Sequence, residues 1–126
     1  MTRTQFEKEQ KELRDEMKSL GYGWIDGNYI KPPIEYQRKS KKLDCISMIN
    51  SLLCYNYSGY TDAEKVMERE ENAYCNYLAG YVKLFGRNNV IALIQDQINS
   101  IVGIRRNVAM DSEGVSYNSI IWADEQ

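Results

Sequence analysis

A chain of 126 residues is long enough to close one hydrophobic core and too short for two, so a single domain spanning residues 1–126 is expected. Its 16 Lys and Arg against 18 Asp and Glu leave a net charge of −2, which excludes both a broadly basic nucleic-acid binder and a heavily charged DNA mimic. The chain has no histidine, so hydrolytic sites built on a Ser–His or Cys–His pair are excluded, as are metal centres that depend on imidazole.

The first residues, Met1-Thr2-Arg3-Thr4-Gln5-Phe6-Glu7, lack the apolar run of a secretory leader, and no stretch approaches the roughly 18 apolar residues of a membrane span. A cytoplasmic protein with no membrane partner is expected. Thr4 followed by Glu7 has the form of a capping box, and Phe6, Leu13, Met17 and Leu20 then recur at helical spacing up to Gly21. The remaining faces of this first helix carry mixed charges at separations of three and four, a solvated surface.

After Gly21, aromatic residues and isoleucine flank Asp26-Gly27, the strongest short hairpin signal, and a two-residue turn there sets Trp24 opposite Tyr29 and Ile25 opposite Asn28. Pro32-Pro33 ends the ribbon. A basic connection follows, with Tyr36, Arg38, Lys39, Lys41 and Lys42, and it leads into the apolar second helix around Ile46 to Leu53. Tyr55, Tyr57 and Tyr60 then cluster around a polar loop expected to be exposed.

Thr61 or Asp62 caps a long third helix with Met67, Tyr74, Leu78, Tyr81 and Phe85 on one stripe, closed by Gly86. Asn88 or Asn89 caps a fourth helix carrying Val90, Ile91, Ile94, Ile98, Ile101 and Val102 and ending at Arg105 and Arg106. The short link between them makes an antiparallel αα-hairpin. A second β-hairpin is expected around Asp111-Ser112-Glu113-Gly114, with Ile120, Ile121 and Trp122 anchoring the end of the chain. The fold class is therefore mainly α, an α-rich α+β domain of about four helices with one or two small β-hairpins.

Chemistry has few places to sit. Cys45, Cys54 and Cys75 are odd in number, lie on segments that read as helical and lack CxxC spacing, so they read as reduced core residues rather than metal ligands. Neither a GxSxG elbow nor a glycine-rich phosphate loop is present. Glu64, Glu68 and Glu71 share a helix face that could hold Mg²⁺, as the ExxE pair of all-helical nucleotide pyrophosphohydrolases does. The later helix offers only Asp96-Gln97-Ile98-Asn99 where those enzymes have an ExxD pair. No catalytic residue, cofactor or metal is assigned.

Two binding readings remain. In the first, Trp24, Tyr29, Tyr55, Tyr57 and Tyr60, with Arg105, Arg106, Asp111, Glu113, Tyr117 and Asn118, form a surface for a host protein or protein complex, since tyrosine and tryptophan give large contact area at small entropic cost. Compact, acidic, histidine-free proteins without catalytic motifs are the kind that phages and mobile elements encode as inhibitors of host machinery, including CRISPR and other defence systems. An anti-defence binding protein is thus the expectation. In the second, Tyr36, Arg38, Lys39, Lys41 and Lys42, with Arg105 and Arg106, hold a nucleic acid weakly and with steep salt dependence. The apolar stripes of the third and fourth helices can also bury against a second copy, which leaves a homodimer open.

Overall fold

The structure, a computed structural model, describes residues 1–110 and 116–125, with side chains for residues 1–105 and 119–124. Helix α1 spans Arg3–Ser19, followed by strands β1 (Gly23–Ile25) and β2 (Asn28–Ile30). Helices α2 (Ile34–Tyr55), α3 (Ala63–Asn72), α4 (Ala79–Phe85) and α5 (Arg87–Ser100) come next, and then β3 (Ile101–Met110), β4 (Ser116–Trp122) and a 3-10 turn at Ala123–Glu125. The fold is mainly helical with two small antiparallel two-stranded sheets, the α-rich α+β class expected from the sequence.

Helix α1 starts two residues earlier than its sequence suggests. The capping box is Thr2 with Gln5, not Thr4 with Glu7: the Thr2 hydroxyl accepts from the Gln5 N–H at 3.3 Å and the Gln5 side chain accepts from the Thr2 N–H at 3.0 Å. At the far end Gly21 takes φ 82°, and the Tyr22 N–H reaches back to the Met17 carbonyl at 2.9 Å, which closes the helix in a Schellman motif. No residue of α1 is fully buried; Phe6, Leu13 and Met17 only half-bury a narrow stripe.

The centre of the molecule is α2. It begins directly after Pro33, so the basic segment 36–42 is not a flexible connection but the first two turns of this helix. A proline pair pre-sets the helix entry, and the Tyr36 and Gln37 N–H groups both find the Pro33 carbonyl. Farther along, Cys45, Ile46, Ile49, Leu52, Leu53 and Cys54 are buried, a width of apolar surface that only a helix packed on several sides can cover.

The long third helix of the sequence reading is in fact two. Asp62 caps α3 by accepting from the Glu64 and Lys65 N–H groups, and Ala63, Val66, Met67 and Glu70 make its buried stripe. The chain turns extended at Ala73 and re-enters a helix only at Ala79. Two side chains hold this break: Glu70 accepts the Tyr77 N–H at 2.9 Å, and Asn76 accepts the Leu78 N–H at 3.0 Å. Cys75, expected in the core, is consequently exposed on this connection, whereas Cys45 and Cys54 are buried.

Gly86, at φ 90°, is the whole link between α4 and α5. Helix α5 runs antiparallel to α3, with Arg87 at its start paired to Glu71 and Gln95 near its end accepting from the Ala63 N–H. Val66, Met67, Leu78, Val90 and Ile94 join Cys45, Ile49 and Leu53 in one hydrophobic cluster. Each fully buried aliphatic side chain there contributes about 1.5–3 kcal/mol.

Helix α5 stops at Ser100, so Arg105 and Arg106 belong to a strand and not to a last helical turn. Ile101-Val102-Gly103-Ile104 fits a strand as well as a helix by its apolar spacing, and the β-branched side chains favour the extended form. Pairing runs from Ile101 opposite Trp122 to Met110 opposite Ser116, with irregularities between Ile101 and Gly103 and between Arg106 and Met110. Buried Trp122 ties the base of this second hairpin to the body of the protein. The turn expected at Asp111-Ser112-Glu113-Gly114 falls outside the described residues.

Candidate protein-binding surface

The β1–β2 hairpin presents an exposed aromatic and apolar surface. Asp26 and Gly27 both take positive φ, 50° and 81°, the requirement of a type I′ turn, and the register pairs Trp24 with Tyr29 and Ile25 with Asn28 as the sequence implies. The Trp24 and Tyr29 rings stand 5.5 Å apart with 56° between their planes. Trp24 is nevertheless 77% exposed and Tyr29 57%. Leu20, Ile30 and Ile34, from the end of α1, the end of β2 and the start of α2, are exposed as well, Ile34 to 66%. Five large apolar side chains within residues 20–34 thus face solvent.

The three tyrosines after α2 separate. Tyr55 is exposed as expected, but Tyr57 is only 6% exposed and is a core residue, because its hydroxyl donates to Glu70 Oε2 at 2.6 Å. Burial, and the hydrogen bond to Glu70, push the Tyr57 phenol well above the ordinary tyrosine range, so it stays a donor. Tyr60 is half-buried, meets Tyr57 edge-on at 5.3 Å and carries the Arg69 guanidinium 5.6 Å over its ring. The Arg69 guanidinium also donates to the Tyr60 hydroxyl. Beside Tyr57, an open cleft of about 660 Å³ is bounded by residues 56–57 and 68–77 and includes Tyr74 and Tyr77. Sequence reasoning missed Glu70, Tyr74 and Tyr77 as parts of one site. The available signal was Glu70 itself, a carboxylate seven residues after Ala63 on the buried stripe of α3.

The basic half of α2 is occupied by neighbours. Tyr36 is buried and donates to Glu16 Oε1 on α1 at 2.9 Å, so it cannot stack on a base. That hydrogen bond, with burial adding to it, pushes the Tyr36 phenol up to about 12. Lys39 lies 5.4 Å over the Tyr36 ring and Arg38 6.0 Å over Phe85. Lys39 and Lys42 line a cavity of about 320 Å³ together with Glu9, Glu12 and Glu16 of α1, so acids face the cations that would hold phosphate. Lys41 is exposed.

The acidic face of α3 is also partly used. Arg87 grips Glu71 through Nη2 at 2.8 Å and Nε at 3.1 Å, and this guanidinium holds the Glu71 carboxyl below the ordinary range. Glu64 and Glu68 remain exposed. Among the described residues no group of three or more Asp, Glu, Cys or His is placed to hold a metal ion, and no helix is long and apolar enough to cross a membrane. In the second hairpin Arg105 is exposed and pairs in register with Ser119, Arg106 pairs with Asn118, and Tyr117 precedes Asn118 in β4. Asp111 and Glu113, sequence candidates for the same cluster, lie outside the described residues.

Compared with protein-family models, with curated proteins and with solved structures, the chain matches none.

Proposed function

We propose that this protein works without catalysis, by docking the Trp24–Tyr29 hairpin and the apolar residues around it onto another protein. The observation that carries this reading is the exposed aromatic pair on a turn whose register is tightly specified. Trp24 is 77% exposed and meets Tyr29 ring to ring, and a rigid aromatic pair of this kind is what anchors the centre of an interface. A host protein or complex is the partner class we propose, with the chain acting as an inhibitor of the anti-defence kind. Its small size, its net charge of −2 and its lack of histidine support that assignment.

The nucleic-acid reading has weaker support, because Tyr36 is sealed against Glu16 and Glu9, Glu12 and Glu16 face Lys39 and Lys42. Capture of partners from host lysate, with and without nuclease, separates the two. Protein contact predicts retention that survives nuclease and is unchanged by replacing Lys39, Lys41 and Lys42 with alanine. Recovery that vanishes with nuclease, or that falls by several orders of magnitude between about 50 and 200 mM salt, would overturn it.

A further inference from the structure

Glu70 is 1% exposed, yet neither of its hydrogen-bond donors is charged: one is the Tyr57 hydroxyl and the other the Tyr77 backbone N–H. Among the described residues no lysine or arginine pairs with it, and its neighbour Arg69 is turned to Tyr60. Both carboxylate oxygens of Glu70 are thus met by neutral donors, while Arg69, the cation beside it, is engaged with the Tyr60 ring and hydroxyl.

Glu70 belongs to the lining of the cleft of about 660 Å³, together with Glu68 and with Tyr57, Tyr74 and Tyr77. Tyr74 is fully exposed and Tyr77 half-exposed, so both rings are available. Tyrosine faces carry partial negative charge, and the two carboxylates outnumber Arg69, the one cation of the lining. We propose that this cleft receives a cationic side chain, a lysine or arginine of the partner protein, held between tyrosine faces above Glu70 and beside Glu68.

The source of the cation rests on the protein-binding reading; the chemistry of the cleft does not, and a small probe tests it alone. N-acetyl-arginine methylamide, titrated into the full chain and followed by amide NMR, is expected to shift Tyr77, whose N–H donates to Glu70, and its neighbours 73–76, saturably and in the millimolar range. The neutral isostere N-acetyl-citrulline methylamide should leave them in place. Tyr74→Ala, at a site too exposed to disturb folding, should weaken the arginine probe about two- to fivefold, the usual size of an exposed cation–π contact. Equal shifts with the citrulline probe, no saturable shift at Tyr77, or unchanged affinity in Tyr74→Ala would each overturn the inference. Partner capture that depends on Trp24 would still stand after any of these results, so the two proposals fail separately.

Discussion

Glu70 ties three segments of the chain together. Its carboxylate bridges the end of α2, through Tyr57, to the turn before α4, through Tyr77, and holds open the break between α3 and α4. Glu70→Ala strands the buried Tyr57 hydroxyl and frees the partly buried Tyr77 N–H, and urea denaturation should show a loss of about 1–3 kcal/mol. A loss under about 0.5 kcal/mol, the range of an ordinary surface substitution, would contradict this role. The residue was half-legible in the sequence: its position on the α3 stripe was visible, but an acid among acids reads as solvated surface until Tyr57 is seen beside it. The thiols divide in the same way. Cys45 and Cys54 are buried, and burial pushes the Cys45 thiol up to about 12, while Cys75 is exposed. A thiol reagent should therefore modify one of the three cysteines in the native protein and all three after unfolding; fast labelling of two or more would show that the break between α3 and α4 does not expose Cys75 alone.

Among the elements, the β1–β2 hairpin was fully readable, because Asp-Gly demands one turn type and that turn demands one register. The break after Asn72 was not, since no proline or glycine marks it and its cause is tertiary, the Glu70 and Asn76 hydrogen bonds. The switch from α5 to β3 was equally hidden, as Ile101 and Val102 satisfy both periodicities. Helix α1, with no fully buried residue, leans on α2 partly through the Tyr36–Glu16 hydrogen bond. This contact has a pH signature. Tyr36 in the folded state titrates at about 12 against about 10 when unfolded, so its contribution is complete below about pH 10 and is lost as pH rises toward about 12. Cys45 acts in the same direction from about 8.5 upward. Melting temperature should fall across this alkaline window, and Tyr36→Phe should flatten the upper part of the fall. Parallel curves for the two proteins would show that Tyr36 does not couple α1 to α2.

At the scale of the whole molecule, α2, α3, α4 and α5 share one core, while α1 and the two hairpins are placed around it. Ile94, fully buried in that core, should cost about 2–5 kcal/mol as alanine. Trp24 should behave in the opposite way. Truncating it forfeits only a cross-strand pair of about 0.2–1 kcal/mol, so the folded state survives. This contrast between a residue that stabilises and one that is exposed without stabilising is the core of the functional proposal. The measurement that tests it most directly compares partner capture by the wild-type chain and by Trp24→Ala, at matched concentration and with the urea midpoint of each recorded. The proposal predicts at least a tenfold loss of capture with a midpoint almost unchanged. Undiminished capture by a folded Trp24→Ala protein would contradict it.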